Sequence, residues 1–255
     1  MGRHPLTANA ESTRVKSVIE SIKATQPTPL DPFRTGKTYS IGQAAPLART
    51  TPATVRRWLV GDDAPVHQMA PVFGERSATD RDGPLEVSFL ELVEIVVASR
   101  LRHGSGSRRP VKLEYVRAAH QFAREQFGLP YPFASLKLRE FGGHVLHEFD
   151  VRHPGSAALA LDLHGHWVLP GAVQATVEQF DFLDDFVVRW FPFGRNAHIA
   201  IDPRIGGGRP TVAGTGVTIE TLRSRWEAGE TMSELADDLE LDVAEIETAL
   251  RYTAA

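Results

Sequence analysis

Two adjacent arginines, Arg56 and Arg57, follow a short series of small and hydroxylated residues in the first quarter of the chain. A guanidinium group can hydrogen-bond to guanine through two N–H groups and can neutralise a phosphate. Thr51, Ala53 and Thr54 have short side chains that allow a helix to approach base edges closely. The chemistry that this spacing favours is recognition of a double-stranded nucleic acid.

These residues are positioned by two predicted helices that a tight turn joins within residues 39–59. Ser40 is placed to cap the first helix and Thr51 the second, where Pro52 occupies the first helical position and loses no hydrogen bond. Pro46 lies inside the first helix and is expected to shorten or bend it. The residues predicted to be buried are Ile41, Ala44, Ala45 and Leu47 on the first helix and Val55, Trp58 and Leu59 on the second.

The segment has Tyr-Ser-Ile-Gly-Gln-Ala-Ala before the turn and Thr-Pro-Ala-Thr-Val-Arg-Arg-Trp after it, and it resembles the opening helix-turn-helix of the MerR superfamily. The resemblance implies that the second helix enters the major groove of operator DNA. The DNA-binding residues that it implies are Ser40, Thr51, Ala53, Thr54, Arg56 and Arg57. The alternative is a two-helix hairpin that packs into a core and does not contact DNA.

A β-hairpin is predicted after the two helices. Residues 69–73 and 85–87 are the candidate strands, and the polar residues 75–83 form the tip. Such a hairpin would be the wing of a winged helix-turn-helix. Arg76 at the tip would then reach a backbone phosphate of DNA.

Two longer helices are predicted next. Ser88 and Glu91 form a capping box before an apolar run that ends at Gly104. A second amphipathic run covers Leu113–Phe127 and stops at Gly128. Basic residues between the two helices would contact flanking DNA or form a solvated loop, and they are Arg100, Arg102, Arg108, Arg109 and Lys112.

The middle of the chain is predicted to contain mainly β-strands. Residues 138–149 are typical of a hairpin around Gly142 and Gly143, and residues 180–193 are apolar enough for one or two buried strands. Histidines and aspartates in this region leave an enzyme open as an alternative, although their pattern forms no complete metal or nucleophile set. These residues are His144, His147, His164, His166, Asp181, Asp184 and Asp185.

Near the carboxyl end, residues 201–219 contain three glycines followed by Arg-Pro and, farther on, Gly-Thr. Together with the apolar pattern up to Tyr252, this stretch resembles the family called domain of unknown function 433. Gly216 stands where that family commonly has arginine. Three helices are predicted after the glycine-rich turn, at about 219–227, 232–239 and 243–252. The third begins with acidic residues and is a poor surface for phosphate, so the module is interpreted as protein-binding or dimerising.

Chains with this module resemble the antitoxins of VapBC-like pairs, whose toxins are ribonucleases of the PIN fold. The resemblance implies a toxin partner whose clustered carboxylates bind divalent metal. A basic side chain of the antitoxin could enter that cluster, and Arg204 and Arg209 are the candidates, with Gly208 and Thr215 beside them. The alternative is that both arginines only brace the glycine-rich turn.

The charge is distributed unevenly along the chain. Residues 1–60 hold nine Lys and Arg against three acids, a balance of +6, whereas residues 220–255 hold three arginines against ten acids, a balance of −7. The basic front is typical of a nucleic-acid partner and the acidic end of a protein partner, with ordinary solvated helix faces as the alternative. The chain has no cysteine, which excludes disulfides and a thiol nucleophile.

The sequence therefore predicts an α+β protein with a flexible arm over 1–36, a winged helix-turn-helix DNA-binding domain over 37–130, a β-rich connecting region over 131–198 and a trihelical, helix-turn-helix-like module over 199–255. We expect a cytoplasmic, non-enzymatic antitoxin that needs no cofactor and has no membrane segment. It would act as a homodimer, repress its own operon and neutralise a PIN-type ribonuclease. The second interpretation is a stand-alone MerR-like regulator that senses a small ligand.

Overall fold

The computed structural model describes residues 30–62, 69–73, 84–103, 111–136 and 171–252. Within these ranges the protein is a mixed α+β structure in which helices pack around small, two-stranded antiparallel sheets. No helix in these ranges has the length and apolar character needed to cross a membrane. Several predictions lie outside them: most of the arm, the wing tip with Arg76, the hairpin at 138–149, and the four histidines of the middle region.

The described chain begins with a short helix, α1 (Pro32–Thr35), that Asp31 caps. Arg34 of this helix is only 3% exposed, and its Nη1 donates to the carbonyl oxygen of Leu183 at 3.2 Å. The carboxyl end of the predicted arm is therefore packed against the body of the protein. A strand, β1 (Lys37–Ser40), connects this helix to the predicted helix-turn-helix.

The two predicted helices are present as α2 (Ile41–Leu47) and α3 (Pro52–Val60). Both caps are confirmed, because Ser40 accepts from the Gln43 amide and Thr51 accepts from the Thr54 amide. Pro46 lies in the last turn of α2, which ends one residue later. The side chains buried between and beneath the helices include Ala44, Ala45, Val55, Trp58 and Leu59.

The predicted pairing of residues 69–73 with 85–87 is wrong. Strand β2 (Glu86–Ser88) pairs antiparallel with β1 instead, in a register that places Tyr39 opposite Val87. The pairing buries both of these side chains in the core, whereas only a single bridge joins Met69 to Asp62. The amides of residues 72 and 73 donate to the Trp58 carbonyl at the end of α3 and form no hairpin ladder.

Helix α4 (Phe89–His103) begins with the predicted Ser88 and Glu91 capping box and is buried along most of its length. Helix α5 (Leu113–Phe127) has the predicted bounds and ends at Gly128 in a left-handed conformation. The two helices are connected by a buried pair that has no signal in the apolar pattern. His120 Nε2 lies 3.0 Å from Glu94 Oε1, which also accepts from the Phe133 amide at 3.2 Å.

The described part of the middle region contains α6 (Gly171–Val177), which the sequence did not predict, and a hairpin of β3 (Phe180–Leu183) and β4 (Phe186–Trp190). The two strands confirm the prediction for residues 180–193. Phe180 and Trp190 face each other across the hairpin and are almost completely buried. Together with β1, β2 and α2–α6, this hairpin closes the first hydrophobic core.

The carboxyl-terminal part begins with β5 (Ile199–Ala200) and β6 (Thr211–Val212), which pair antiparallel. Three helices follow, α7 (Ile219–Glu227), α8 (Met232–Leu239) and α9 (Val243–Arg251). They enclose a second core that includes Ile199, whereas Ile201 belongs to the first core. The chain thus passes between the two cores through Ala200, and Ile201 exchanges main-chain hydrogen bonds of 3.0 and 2.7 Å with Trp190.

Candidate nucleic-acid and protein interfaces

Helix α3 presents a short polar face at its start. Thr51 and Ala53 are exposed, and Thr54 is partly exposed. The Thr51 hydroxyl accepts from the Thr54 amide at 3.2 Å and lies 2.9 Å from the Thr54 hydroxyl. Both hydroxyls thus fix the first turn of the helix and remain at its surface, where they can also meet a ligand.

The two arginines of α3 differ in their surroundings. Arg57 is exposed, and its Nε lies 3.4 Å from Asp62 Oδ2. Arg56 is partly exposed. An exposed ion pair such as that of Arg57 contributes at most about 1 kcal/mol, so Arg57 can exchange Asp62 for a phosphate at little cost.

Ser40 lies at the start of the other helix of the pair. Its hydroxyl accepts from the Gln43 amide at 3.2 Å, and the Gln43 side chain accepts from the Ser40 amide at 2.9 Å. This capping box gives Ser40 a structural task, while its exposed position keeps it available to solvent.

In the carboxyl-terminal module, Arg204 is held by a residue from the beginning of the described chain. Its Nε donates to Asp31 Oδ2 at 2.8 Å, and its Nη2 contacts the same oxygen. The hydrogen bond from the Phe33 amide and the nearby Arg204 charge hold the pKa of the Asp31 carboxyl below its ordinary value. The predicted toxin-binding side chain therefore already has an acidic partner within the chain.

Arg209 braces the glycine-rich turn. Its Nε donates to the Gly206 carbonyl oxygen at 3.0 Å, and its Nη1 donates to Glu220 Oε2 at 3.2 Å. The side chain is still 54% exposed. The bracing role that the sequence left open is thus present, and the outer side of the guanidinium group remains accessible.

Gly208 is the point at which the turn meets the amino-terminal part. The Tyr39 hydroxyl donates to the Gly208 carbonyl oxygen at 2.7 Å, in a buried contact. Gly208 has a left-handed φ of 73°, and a Cβ added there would lie 2.3 Å from the Tyr39 Oη. Burial, with the Asp202 charge as a smaller cause, raises the pKa of the Tyr39 hydroxyl, so it stays a donor at neutral pH.

Thr215 shapes the turn after β6. Its hydroxyl donates to the Val212 carbonyl oxygen at 3.0 Å and accepts from the Val217 amide at 3.1 Å. Of the four predicted toxin-binding residues, the structure thus brings Arg204, Gly208 and Arg209 together around one turn. Thr215 lies at the neighbouring turn.

Asp31 and Tyr39 are residues that sequence reasoning missed. Asp31 precedes a proline, a pattern typical of a helix start, so its capping role had a local signal. Its contact with Arg204 had none, because 173 residues separate the two. Within the described ranges no group of three or more histidines or acids is arranged to hold a metal ion.

Comparison with known proteins gives three kinds of similarity: to a family, to one relative in sequence and to one solved structure. Residues 199–253 match the family described as "Protein of unknown function (DUF433)". The chain is 26% identical over 231 residues to a protein of Mycobacterium tuberculosis strain H37Rv described as "Putative antitoxin VapB45". That alignment covers 85% of this chain and 94% of the relative.

A solved structure has the same fold. The X-ray crystal structure of Rv2018 from Mycobacterium tuberculosis superposes with a TM-score of 0.68 over 84% of this chain and 97% of that chain, at 22% identity. The resemblance of residues 201–252 to the DUF433 family agrees with the family match. Arg204, Gly208, Arg209 and Thr215 all lie within the matched residues.

Proposed function

We propose that this protein is the antitoxin of a type II toxin–antitoxin pair, which represses its operon through α3 and neutralises a PIN-type ribonuclease through its carboxyl-terminal module. The observation that carries the proposal is the presence, in one chain, of an exposed basic helix face and a DUF433-type module. The similarity to a protein described as an antitoxin, over most of both chains, supports it and favours a regulatory protein over an enzyme.

The DNA-binding half of the proposal rests on α3. Val55, Trp58 and Leu59 anchor the helix in the core, so Thr51, Ala53 and Thr54 face outward at its start and Arg57 faces outward in its last turn. A helix anchored on one side and polar on the other fits the major groove, where arginine reads guanine or neutralises phosphate. Two copies related by a two-fold axis would place two such helices on a palindromic operator.

The protein-binding half rests on the glycine-rich turn. Arg204 and Arg209 flank Gly206, Gly207 and Gly208 and keep half of their side-chain surface exposed. Since the toxin's metal-binding carboxylates would compete with Asp31 and Glu220 for these guanidinium groups, binding amounts to an exchange of acidic partners. The pair of Arg209 with Glu220 is exposed on both sides and is weak enough for such an exchange, whereas the Asp31 side chain that holds Arg204 is only 12% exposed.

DNA binding is tested with the double variant R56A/R57A and a matched control, R124A/R251A, which removes two exposed arginines elsewhere. Binding to the DNA upstream of the gene is measured by fluorescence anisotropy at fixed salt. We expect R56A/R57A to lose specific binding and the control to keep it. Equal affinities for both variants would show that α3 does not read the operator.

Toxin binding is tested by co-expressing the chain with the product of the neighbouring gene and analysing the complex by size-exclusion chromatography. We expect a stable complex without ribonuclease activity for the wild type and for R56A/R57A. R204A/R209A should lose the complex while it retains DNA binding. A harmless neighbour that never co-elutes would remove the antitoxin half of the proposal.

One observation favours the second candidate function, a stand-alone regulator that senses a small ligand. An open groove of about 790 Å³ lies between α5 and residues 70–72, and Arg117, His120 and Arg124 line it. Such a groove offers the guanidinium groups of Arg117 and Arg124 to an anionic ligand, whereas His120 is buried against Glu94. Glu125 adds one acidic side chain to the lining. A thermal-shift screen of small carboxylates and phosphates tests this candidate, which predicts a stabilising ligand and no toxin complex.

A further inference from the structure

In the part of the chain that the structure describes, two arginines near the start of α3 have no acidic partner. Arg49 lies in the turn between α2 and α3 with a left-handed φ of 53°, and it is exposed. Arg100 lies in the last turn of α4 and is half-buried. Among the residues that the structure describes, no side-chain hydrogen bond or ion pair engages either guanidinium group.

The two positive charges act on each other. Burial, and after it the charge of Arg49, lower the pKa of Arg100. Other basic residues in the same part of the protein are neutralised: Lys37 contacts Glu91, and Arg57 contacts Asp62. Within the described ranges, Arg49 and Arg100 therefore mark a place where positive charge is not neutralised by a carboxylate.

An open depression lies beside Arg49. Gly42 and Pro46 of α2, Thr50 of the turn, and Thr51 and Pro52 at the start of α3 complete its lining, which contains no carboxylate. Its volume is about 500 Å³, and most of its lining is apolar. Carbon atoms of proline and threonine beside a guanidinium group suit a ligand that is apolar at one end and anionic at the other.

A nucleotide backbone unit has this character, because its deoxyribose presents C–H groups and its phosphodiester a negative charge. We propose that the depression, with Arg49 and Arg100, binds one sugar–phosphate unit of the DNA strand that borders the major groove occupied by α3. Such contacts fix the register of a protein on the duplex and carry no sequence information. The proposal rests on the proposed function, since it requires that α3 binds DNA.

The test measures DNA affinity against salt for the full chain, with R49A, R100Q and the double variant R49A/R100Q. One lost phosphate contact lowers the slope of log K against log[salt] by about 1 and weakens binding about equally for all sequences. We expect the double variant to show this change with operator DNA and with a scrambled duplex. The control R124A/R251A should retain the wild-type slope.

A second measurement separates ligand binding from a structural role. In the absence of DNA, R49A removes the repulsion on Arg100, so the thermal midpoint at low salt should stay equal or rise while DNA affinity falls. A residue that only supports the fold would lower both quantities.

Two results would overturn the inference in distinguishable ways. A wild-type slope in R49A/R100Q, combined with loss of specific binding in R56A/R57A, would remove the sugar–phosphate site and leave the proposed DNA-binding face intact. If the wild type binds neither duplex at low salt, both the site and the DNA-binding half of the proposed function are wrong.

Discussion

The Tyr39 hydroxyl donates a buried hydrogen bond of 2.7 Å to the carbonyl oxygen of Gly208 and thereby joins β1, the strand that precedes α2 and α3, to the glycine-rich turn near the carboxyl end. The two residues are 169 positions apart. Around this bond lie the contact of Arg204 with Asp31 and that of Arg189 with Asp202, at 3.3 Å. The joint between the two parts of the molecule is therefore polar and charged, and it has Gly208 at its closest approach.

The variant G208A should destabilise the protein by about 3 kcal/mol, because its methyl group would collide with Tyr39 and its left-handed backbone would be strained. G207A is the matched control, since Gly207 has a φ of 63° but no atom within 4 Å of an added Cβ. Backbone strain alone predicts a loss of roughly 1 kcal/mol there. Chemical denaturation measures both, and equal losses would show that Tyr39 does not restrict position 208.

Removing the Tyr39 hydroxyl leaves the Gly208 carbonyl without a donor. Y39F should therefore cost about 1–3 kcal/mol in the free energy of unfolding, the usual penalty for an unsatisfied buried acceptor. In the double variant Y39F/G208A, the loss of unfolding free energy should be smaller than the sum of the two single losses, because both changes affect one contact. Strict additivity in a double-mutant cycle would contradict the coupling.

The buried pair of Glu94 and His120 should contribute strongly to the stability of the first core. Each side chain is only 3% exposed, and Glu94 also accepts from the Phe133 amide. E94A leaves His120 and this amide without a partner, so we expect a loss of about 3–5 kcal/mol. E125A, an exposed acid on α5, is the control and should change stability by no more than about 0.5 kcal/mol. A loss for E94A as small as the control's would show that the pair is not formed.

Ionised Asp31 should account for part of the loss of folding stability in acid. Its folded-state pKa lies below the ordinary 3.8, so its ionised form stabilises the folded state above that value. This contribution is lost as the pH falls through the folded-state pKa. The thermal midpoint of D31N should therefore fall less steeply between about pH 5 and pH 2 than that of the wild type. E227Q, at an exposed acid of α7, shows whether loss of any negative charge gives the same result.

Truncation of Leu222 tests whether the second core unfolds independently of the first. It is fully buried among α7–α9, so L222A should cost about 2–5 kcal/mol. In native-state hydrogen exchange, the amides of residues 219–250 should lose protection first, and those of α4 should lose it later. V243A, at an exposed apolar residue of α9, is the control. Simultaneous loss of protection in both cores would show that they unfold as one unit.

Local signals predicted the helices well. The bounds of α3, α5 and α7 follow from Thr51, Gly128 and Thr218, residues that satisfy or end a helix through contacts within a few positions. Such capping chemistry is contained in the sequence itself.

Non-local contacts could not be predicted in this way. The strand at 86–88 has several partners of suitable apolar pattern, and burial of Tyr39 against Val87 selects β1. The same limit applies to the interfaces: the sequence identified Arg204 and Arg209 as basic residues near glycines, but not that Asp31 and Glu220 would contact them. No sequence pattern indicated Arg49 as a phosphate-binding residue, because its lack of an acidic neighbour among the described residues is visible only in three dimensions.

The way in which the two cores are joined has a consequence for operator geometry. The chain crosses between them more than once, from Trp190 to Ile199, through Ala200 to Ile201 and then to Val212, and main-chain hydrogen bonds join Ile201 and Trp190 in both directions. The described residues therefore leave no adjustable spacer between α3 and the carboxyl-terminal helices. If two copies associate through those helices, the separation of their two α3 helices is a fixed length. Inserting or deleting one base pair between operator half-sites should then be tolerated poorly, since it rotates one half-site away from its helix.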